Sequence, residues 1–344
     1  MTDAKTSAND GARSKKSKNT ASSRWAWTAG AAAGGAVMAG AALFNWSKAK
    51  QAERDNPPLG KFLTVDGVRL HYLVRGEGPP IVLLHGNGTM IEDWIVSGLL
   101  DRLAESNRVV VFDRPGFGHS DRPRSRIWTP RAQAALIAAA LDELKVEQPL
   151  VVAHSFGTLV AIELALEHSD KLSGLVLLGG YYYPSARGDV LVASQPAVPL
   201  VGDVMRYTVS PLIGAALTPR INARIFDPAP VPKSWIEGFP MKMALRPSQI
   251  RAEAAEAALM IPAAASLAPR FGQLDLPVTI IAGDGDEMVD TAAQSKRLAD
   301  ALPQSRYVEI GGAGHMVHHT ATKKVAEAIG SAAAIKKEAE QRRA

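Results

Sequence analysis

The sequence predicts an α/β fold: a mostly parallel central sheet flanked by helices, with a helical lid inserted after one of the sheet strands. Three observations carry this reading. A hairpin signal opens the body of the chain. Short apolar runs of strand type then alternate with stretches of helical periodicity. The alternation breaks between about Tyr181 and Phe271 and resumes afterwards.

Phe62 to Val65 and Val68 to Val74 alternate in polarity around Asp66-Gly67, a dipeptide suited to a tight antiparallel turn. Pro80 to Leu84 and Val109 to Phe112 are apolar runs of the kind found in strands buried on both faces. Gln133 to Leu144 repeats apolar residues with a helical period. Leu150 to Ala153 reads as a strand, Gly157 to Leu166 as a helix and Leu172 to Leu178 as a strand. Val278 to Ala282 and Tyr307 to Ile310 are the last two strands, each followed by a helical stretch. The insertion, residues 181–271, is rich in proline and contains short amphipathic pieces such as Ala252 to Met260. The body so delimited spans residues 61–334.

A chain of 344 residues exceeds what one hydrophobic core usually organises, so a large domain with insertions and tails is the natural expectation. The absence of cysteine excludes disulfides, thiolate catalysis and Cys-based zinc sites. The net charge of +5 is not spread evenly: residues 1–24 contribute +4 and residues 335–344 contribute +2. The body is therefore close to neutral. That argues against a nucleic-acid partner and for basic tails near an anionic surface.

Residues 1–24 lack apolar periodicity and read as a disordered basic tail. Trp25 to Trp46 contains no charged residue and, as a helix, spans about 33 Å, enough to cross a bilayer core. Trp25 and Trp27 at one end, with Phe44 and Trp46 at the other, suit the two interfaces. Residues 25–46 are thus read as a single transmembrane helix. A signal peptide cleaved near Ala39-Gly40-Ala41, giving a secreted protein, and a surface helix or flexible leader are the alternatives. Gly30 and Gly34 provide a GxxxG spacing for a helix-mediated dimer. The greater number of basic residues before the span favours a cytoplasmic N-terminus and an extracytoplasmic catalytic domain. Residues 47–60 read as a polar linker closed by Pro57-Pro58, and residues 335–344 as a charged tail.

Ser155 stands between an apolar strand and a helix, in Val151-Val152-Ala153-His154-Ser155-Phe156-Gly157-Thr158. Small residues two positions to either side let strand and helix approach closely, and the turn lifts the hydroxyl above the sheet at a helix N-terminus. The motif resembles the nucleophile elbow of the α/β-hydrolase family, with Ala153 where that family usually has glycine. The family's order of serine, acid and histidine implies further roles. Gly283-Asp284-Gly285-Asp286 follows a strand and matches the acid loop at Asp286, with Asp284 as a rival whose other role is to stabilise the turn. Gly311-Gly312-Ala313-Gly314-His315 matches the histidine loop, which makes His315 the base. His318 and His319 are read as surface histidines.

The resemblance also implies an oxyanion hole from the backbone N–H groups of Phe156 and of Asn87, the latter in His85-Gly86-Asn87-Gly88. His85 is expected to hold that loop by hydrogen bonds. Asp113 to Ser120 forms a turn behind it, so His119 and Ser120 are architectural rather than a catalytic pair. The four motifs occur in family order over roughly residues 60–330.

The chemistry implied is hydrolysis of a carboxylic ester through an acyl-enzyme, with no cofactor and no metal. Ser155 argues against the family's haloalkane dehalogenases and epoxide hydrolases, which place aspartate at the elbow. Carbon–carbon bond hydrolysis and cofactor-free perhydrolysis use the same triad and remain alternatives, as does a binding protein without activity. Within the lid, Met205, Tyr207, Trp235, Phe239, Met241 and Met243 either face a hydrophobic acyl or alcohol group or form the lid's own core. Tyr181, Tyr182 and Tyr183 either line the entrance to the insertion or pack it.

Overall fold

The computed structural model describes the backbone of residues 10–341 and the side chains of residues 27–334. Eight strands form one sheet: β1 (Lys61–Val65), β2 (Val68–Arg75), β3 (Pro80–Leu84), β4 (Arg108–Phe112), β5 (Leu150–His154), β6 (Gly174–Leu178), β7 (Val278–Gly283) and β8 (Arg306–Ile310). Their spatial order is β1-β2-β4-β3-β5-β6-β7-β8. β2 is antiparallel to both β1 and β4, and every later pairing is parallel. Asp66 and Gly67 both adopt positive φ, 49° and 73°, which matches the right-handed twist of a two-residue hairpin.

The helices are α1 (Asp10–Asp55), α2 (Ile91–Val96), α3 (Leu99–Ala104), α4 (Pro130–Glu143) and α5 (Gly157–Glu167), then α6 (Gly188–Ala193), α7 (Val201–Tyr207), α8 (Ser210–Phe226), α9 (Lys233–Gly238), α10 (Met241–Ala244) and α11 (Pro247–Leu267), and finally α12 (Arg297–Ala301), α13 (Val317–Thr320) and α14 (Thr322–Gln341). One face of the sheet packs with α4 and α5 in a core that includes Val110, Leu136, Val151, Leu159 and Ile280. The other face packs with α2, α3 and α14 through Leu83, Trp94, Leu100, Val152 and Ile329. Apolar side chains thus leave water on both faces, which explains why the central strands read as continuous apolar runs.

Helices α6 to α11 form the insertion between β6 and β7. Phe226, Trp235, Phe239 and Met243 are buried in the lid's own core. Tyr181, Tyr182 and Tyr183 are buried and pack the base of the insertion. The backbone N–H groups of Tyr182 and Tyr183 both donate to Gln294 Oε1 at 2.7 Å.

The N-terminal segment departs from the sequence reading. Residues 1–9 of the tail read as disordered lie outside the described residues, but from Asp10 the backbone is helical. The linker assigned to residues 47–60 is helix as far as Asp55. Its residues, Ser47 to Asp55, include no glycine or proline, and Lys50 pairs with Glu53 at 2.9 Å one turn on. Pro57-Pro58 ends the helix rather than closing a loop. This extension is packed: Asn45 Nδ2 donates to the carbonyls of Tyr207 and Thr208 at 2.9 and 2.7 Å, Arg246 reaches Glu53 at 3.0 Å, and Ala52 is buried in the lid core. Within α1, the stretch Trp27–Asp55 is long and apolar enough to span a membrane or to serve as a signal sequence. The segment read as a charged tail is likewise helical through Gln341, while residues 342–344 lie outside the described residues.

Candidate active site

The carboxyl ends of the parallel strands converge on Ser155. Its φ of +51° is unusual for a residue with a side chain and marks a strained turn between β5 and α5. The turn is held by Ser155 N–H donating to Leu178 O at 2.9 Å. A Cβ on Gly157 would lie 2.6 Å from the carbonyl oxygens of Leu84 and His85, so only glycine lets α5 start this close to β3.

His315 and Asp286 come from the loops after β8 and β7. His315 Nε2 lies 3.0 Å from Ser155 Oγ, and His315 Nδ1 lies 2.8 Å from Asp286 Oδ2. The other carboxylate oxygen of Asp286 accepts the N–H groups of Met288 and Val289 at 2.9 Å each, which fixes its orientation. Asp284 points elsewhere: it is exposed and accepts the N–H of Gly312 at 2.8 Å, stabilising the histidine loop. The four-residue acid loop therefore offers two carboxylates, of which Asp286 meets the imidazole. In this order the imidazole can take the proton of an attacking hydroxyl, and the buried carboxylate holds the ring and stabilises its charged form.

The loop after β3 passes directly beside the serine. A Cβ on Gly86 would lie 3.1 Å from Ser155 Cβ. Among the described residues, the backbone N–H groups of Asn87 and Phe156 have no acceptor. Both belong to the chain segments flanking Ser155, where two unspent donors suit a developing oxyanion. The Asn87 side chain is occupied separately, donating to Glu253 O of α11 at 3.1 Å.

His85 is buried and structural. Its Nδ1–H donates to Gly86 O at 2.8 Å, and its Nε2 accepts the Arg114 N–H at 2.9 Å. Burial, reinforced by the Arg114 charge, pushes its pKa down to about 3, so the ring stays neutral. His119 and Ser120 are also architectural. His119 Nε2 donates to Asn56 O at 3.0 Å, and Ser120 Oγ donates to Asp113 O at 2.7 Å while accepting the His71 N–H.

Three supporting groups escaped the sequence reading. Arg114 donates to His85 O at 2.8 Å and Gly86 O at 2.9 Å, and pairs with Glu256 of α11 at 2.5 and 2.9 Å. Both side chains are fully buried. One ion pair thus braces the loop carrying Asn87 and ties it to the lid. His154, next to the serine, donates from Nε2 to His315 O at 3.1 Å, and its ring lies against that of His315 at 4.8 Å. Burial, with the neighbouring His318 and His315, holds it neutral. Glu253 directs its carboxyl at Gly88, where an added Cβ would sit 3.6 Å from it, and burial beside Glu256 raises its pKa to about 7.

His318 and His319 correct the sequence reading, which placed them on the surface. Both side chains are buried and bonded to Asp93 Oδ1, at 3.0 and 2.7 Å. Phe226 and Trp235 of the lid pack edge-on against His319 and exclude water from it. Burial opposes the Asp93 charge, but the two imidazoles outweigh it and hold that carboxyl well below its ordinary range. Asp93, His318 and His319 have metal-ligand spacing, within 4.8 Å. The bonds from both imidazoles to one carboxylate oxygen account for that spacing.

The sequence profile described as the alpha/beta hydrolase fold matches residues 79–322, and the chain belongs to this family. Over 140 residues it is 32% identical to a 2-hydroxymuconate semialdehyde hydrolase of Pseudomonas sp. (strain CF600), covering 40% of this chain and 50% of that enzyme. The chain therefore spans about half the length of that relative. Over 278 residues it is 26% identical to haloalkane dehalogenase 2 of Mycobacterium bovis, covering 76% and 90%. The crystal structure of a membrane phospholipase A, a bacterial virulence factor, superposes with a TM-score of 0.62 at 20% identity, covering 94% of this chain and 99% of that one. That likeness concerns the fold, and its coverage extends into the residues before Lys61.

Proposed function

We propose that the protein is a membrane-anchored serine hydrolase that cleaves carboxylic esters with a lipophilic acyl or alcohol group. The observation that carries this reading is the unbroken line Ser155 Oγ, His315 and Asp286 at an elbow of positive φ. Ser155 attacks the ester carbonyl as His315 Nε2 takes its proton. Asp286 orients the imidazole and stabilises the imidazolium. The N–H groups of Asn87 and Phe156 receive the oxyanion. Collapse of the tetrahedral intermediate returns the proton from His315 to the leaving alcohol. Water, deprotonated by the same imidazole, then releases the acid. A hydroxyl nucleophile fits acyl transfer, and this separates the chain from haloalkane dehalogenases despite the similarity to one.

The lipophilic preference is supported by the apolar lid and by the apolar stretch of α1 that joins it. The same stretch supports single-pass anchoring with the catalytic domain outside the cytoplasm. Secretion after signal cleavage is the competing outcome. Fluorophosphonate labelling tests the nucleophile: wild type is expected to label and Ser155→Ala not to. Equal labelling of both, or none of wild type, overturns the assignment.

The similarity to 2-hydroxymuconate semialdehyde hydrolase favours a second reading, carbon–carbon bond hydrolysis by the same residues. A panel of alkanoate esters beside a semialdehyde ring-cleavage product separates the two. Turnover of the latter alone would replace the ester reading.

A further inference from the structure

Helix α8 is the anomaly of the lid. Of its 17 residues, only Pro211 and Phe226 are buried. A helix this exposed in water should be rich in charge, yet α8 carries only Arg220 and Arg224 and no carboxylate. Its outward side shows Ile213, Leu217 and Ile221 at i, i+4 steps with Leu212 beside Ile213, all exposed. Val201 and Val204 of α7 continue the apolar surface, with Leu212 and Ile213 each 53% exposed at its centre. An apolar patch built from two successive helices marks an interaction surface rather than scattered surface residues.

The position of the patch indicates what covers it. The α7–α8 corner is where α1 meets the lid, through Asn45 and the carbonyls of Tyr207 and Thr208. From Trp27 to Asn45 the helix rises about 27 Å, close to the thickness of a hydrocarbon core. Phe44 and Trp46 flank Asn45 and are both exposed, as interfacial aromatics are. If α1 crosses a bilayer, the α7–α8 corner lies at its surface. Arg220 and Arg224 then follow the apolar residues along α8, in place to meet lipid phosphates.

We propose that α7 and α8 form a second, interfacial membrane contact, seated in the headgroup and acyl boundary of the bilayer that α1 crosses. The lid would then be held to the membrane by two elements, one spanning and one lying on it. This inference rests on the membrane reading of α1, so the test must distinguish failure of the two. The cysteine-free sequence makes that direct. Three single-cysteine variants of the full chain, Phe44→Cys, Leu212→Cys and Glu147→Cys, are labelled with an environment-sensitive fluorophore. Each is reconstituted into vesicles of phosphatidylcholine and phosphatidylglycerol. Quenching is compared between lipid-borne nitroxide and aqueous iodide.

Strong nitroxide quenching at positions 44 and 212 is expected, at least about twice that at position 147, which is exposed just before the amino end of β5, opposite the strand ends that carry Ser155. Lipid quenching at 44 with free iodide access at 212 would overturn the interfacial contact and leave the anchor standing. Iodide access at both would remove the anchor and the contact together. Protection of 212 from both quenchers would assign the patch to a second copy of the chain and overturn the lipid proposal.

Discussion

The buried pair of Arg114 and Glu256 makes a demanding prediction, because it joins the loop beside the serine to the lid. Neither side chain is exposed. Glu256→Met leaves a guanidinium charge in the interior, still held by His85 O, Gly86 O and Gln133. Breaking such a pair from one side costs about 3–5 kcal/mol. At about 2–4 °C per kcal/mol for a large domain, the thermal midpoint should fall by roughly 6–20 °C. Arg114→Met should cost a similar amount and also release the two loop carbonyls. The double variant, Arg114→Met with Glu256→Met, removes the Arg114 charge together with its partner and leaves only Arg122, 3.8 Å from Glu256 in the wild type, without that carboxylate. It should be more stable than the sum of the single effects predicts, by at least about 1 kcal/mol. Its activity should nevertheless stay at least about tenfold below wild type, because the loop bearing Asn87 has lost its brace. Thermal unfolding of the full chain in detergent and turnover of a chromogenic ester measure both. Strict additivity, or a Glu256→Met midpoint within a degree of wild type, would refute the reasoning.

Asp286→Asn should reduce kcat by about 10⁴ with little change in KM, whereas Asp284→Asn should leave turnover within about a factor of three. Steady-state kinetics on one ester decide it, and the reverse ranking would move the acid to Asp284. Acid should destabilise the fold. His85 is held at about 3, so between pH 6.5 and 3 the unfolded chain takes up a proton that the native chain refuses. That loss amounts to about 1.4 kcal/mol per pH unit over the window, and the depressed His154 and His318 act in the same direction. The thermal midpoint should fall from pH 6.5 to 5, and a flat profile would count against it. Glu253 works in the opposite sense: its native pKa is raised to about 7, so its penalty is present above that pH and is lost as the pH falls to 4.5. Glu253→Gln should therefore raise the midpoint at pH 8 and leave it unchanged at pH 4, and equal shifts at both would remove the proton from the account.

Features carried by neighbouring residues were the legible ones. Asp66-Gly67 announces its hairpin, and the residues around Ser155 announce a strand, a strained turn and a helix. The acid is assigned to Asp286 over Asp284 by motif resemblance alone, because the physical choice depends on which carboxylate the distant histidine loop meets. His318 and His319 were misjudged because their partner, Asp93, lies 225 and 226 residues away. Glu256 was invisible as a partner of Arg114 for the same reason, at a separation of 142. The outward apolar face of α8 defeated periodicity altogether, since a stripe of Leu and Ile does not say whether it faces a core or a membrane.

The continuity of α1 into the lid moves the boundary of the folded unit. A chain beginning at Pro57 would retain every strand, yet it would lose Asn45 from the Tyr207 and Thr208 carbonyls, Ala52 from the lid core and Glu53 from Arg246. Arg246, otherwise buried, would lose its carboxylate. A soluble version that keeps the lid intact should start a turn or so before Asn45. If α1 anchors the protein in a bilayer, the body hangs by its lid, and a pull or tilt of the apolar helix reaches the insertion before it reaches the sheet.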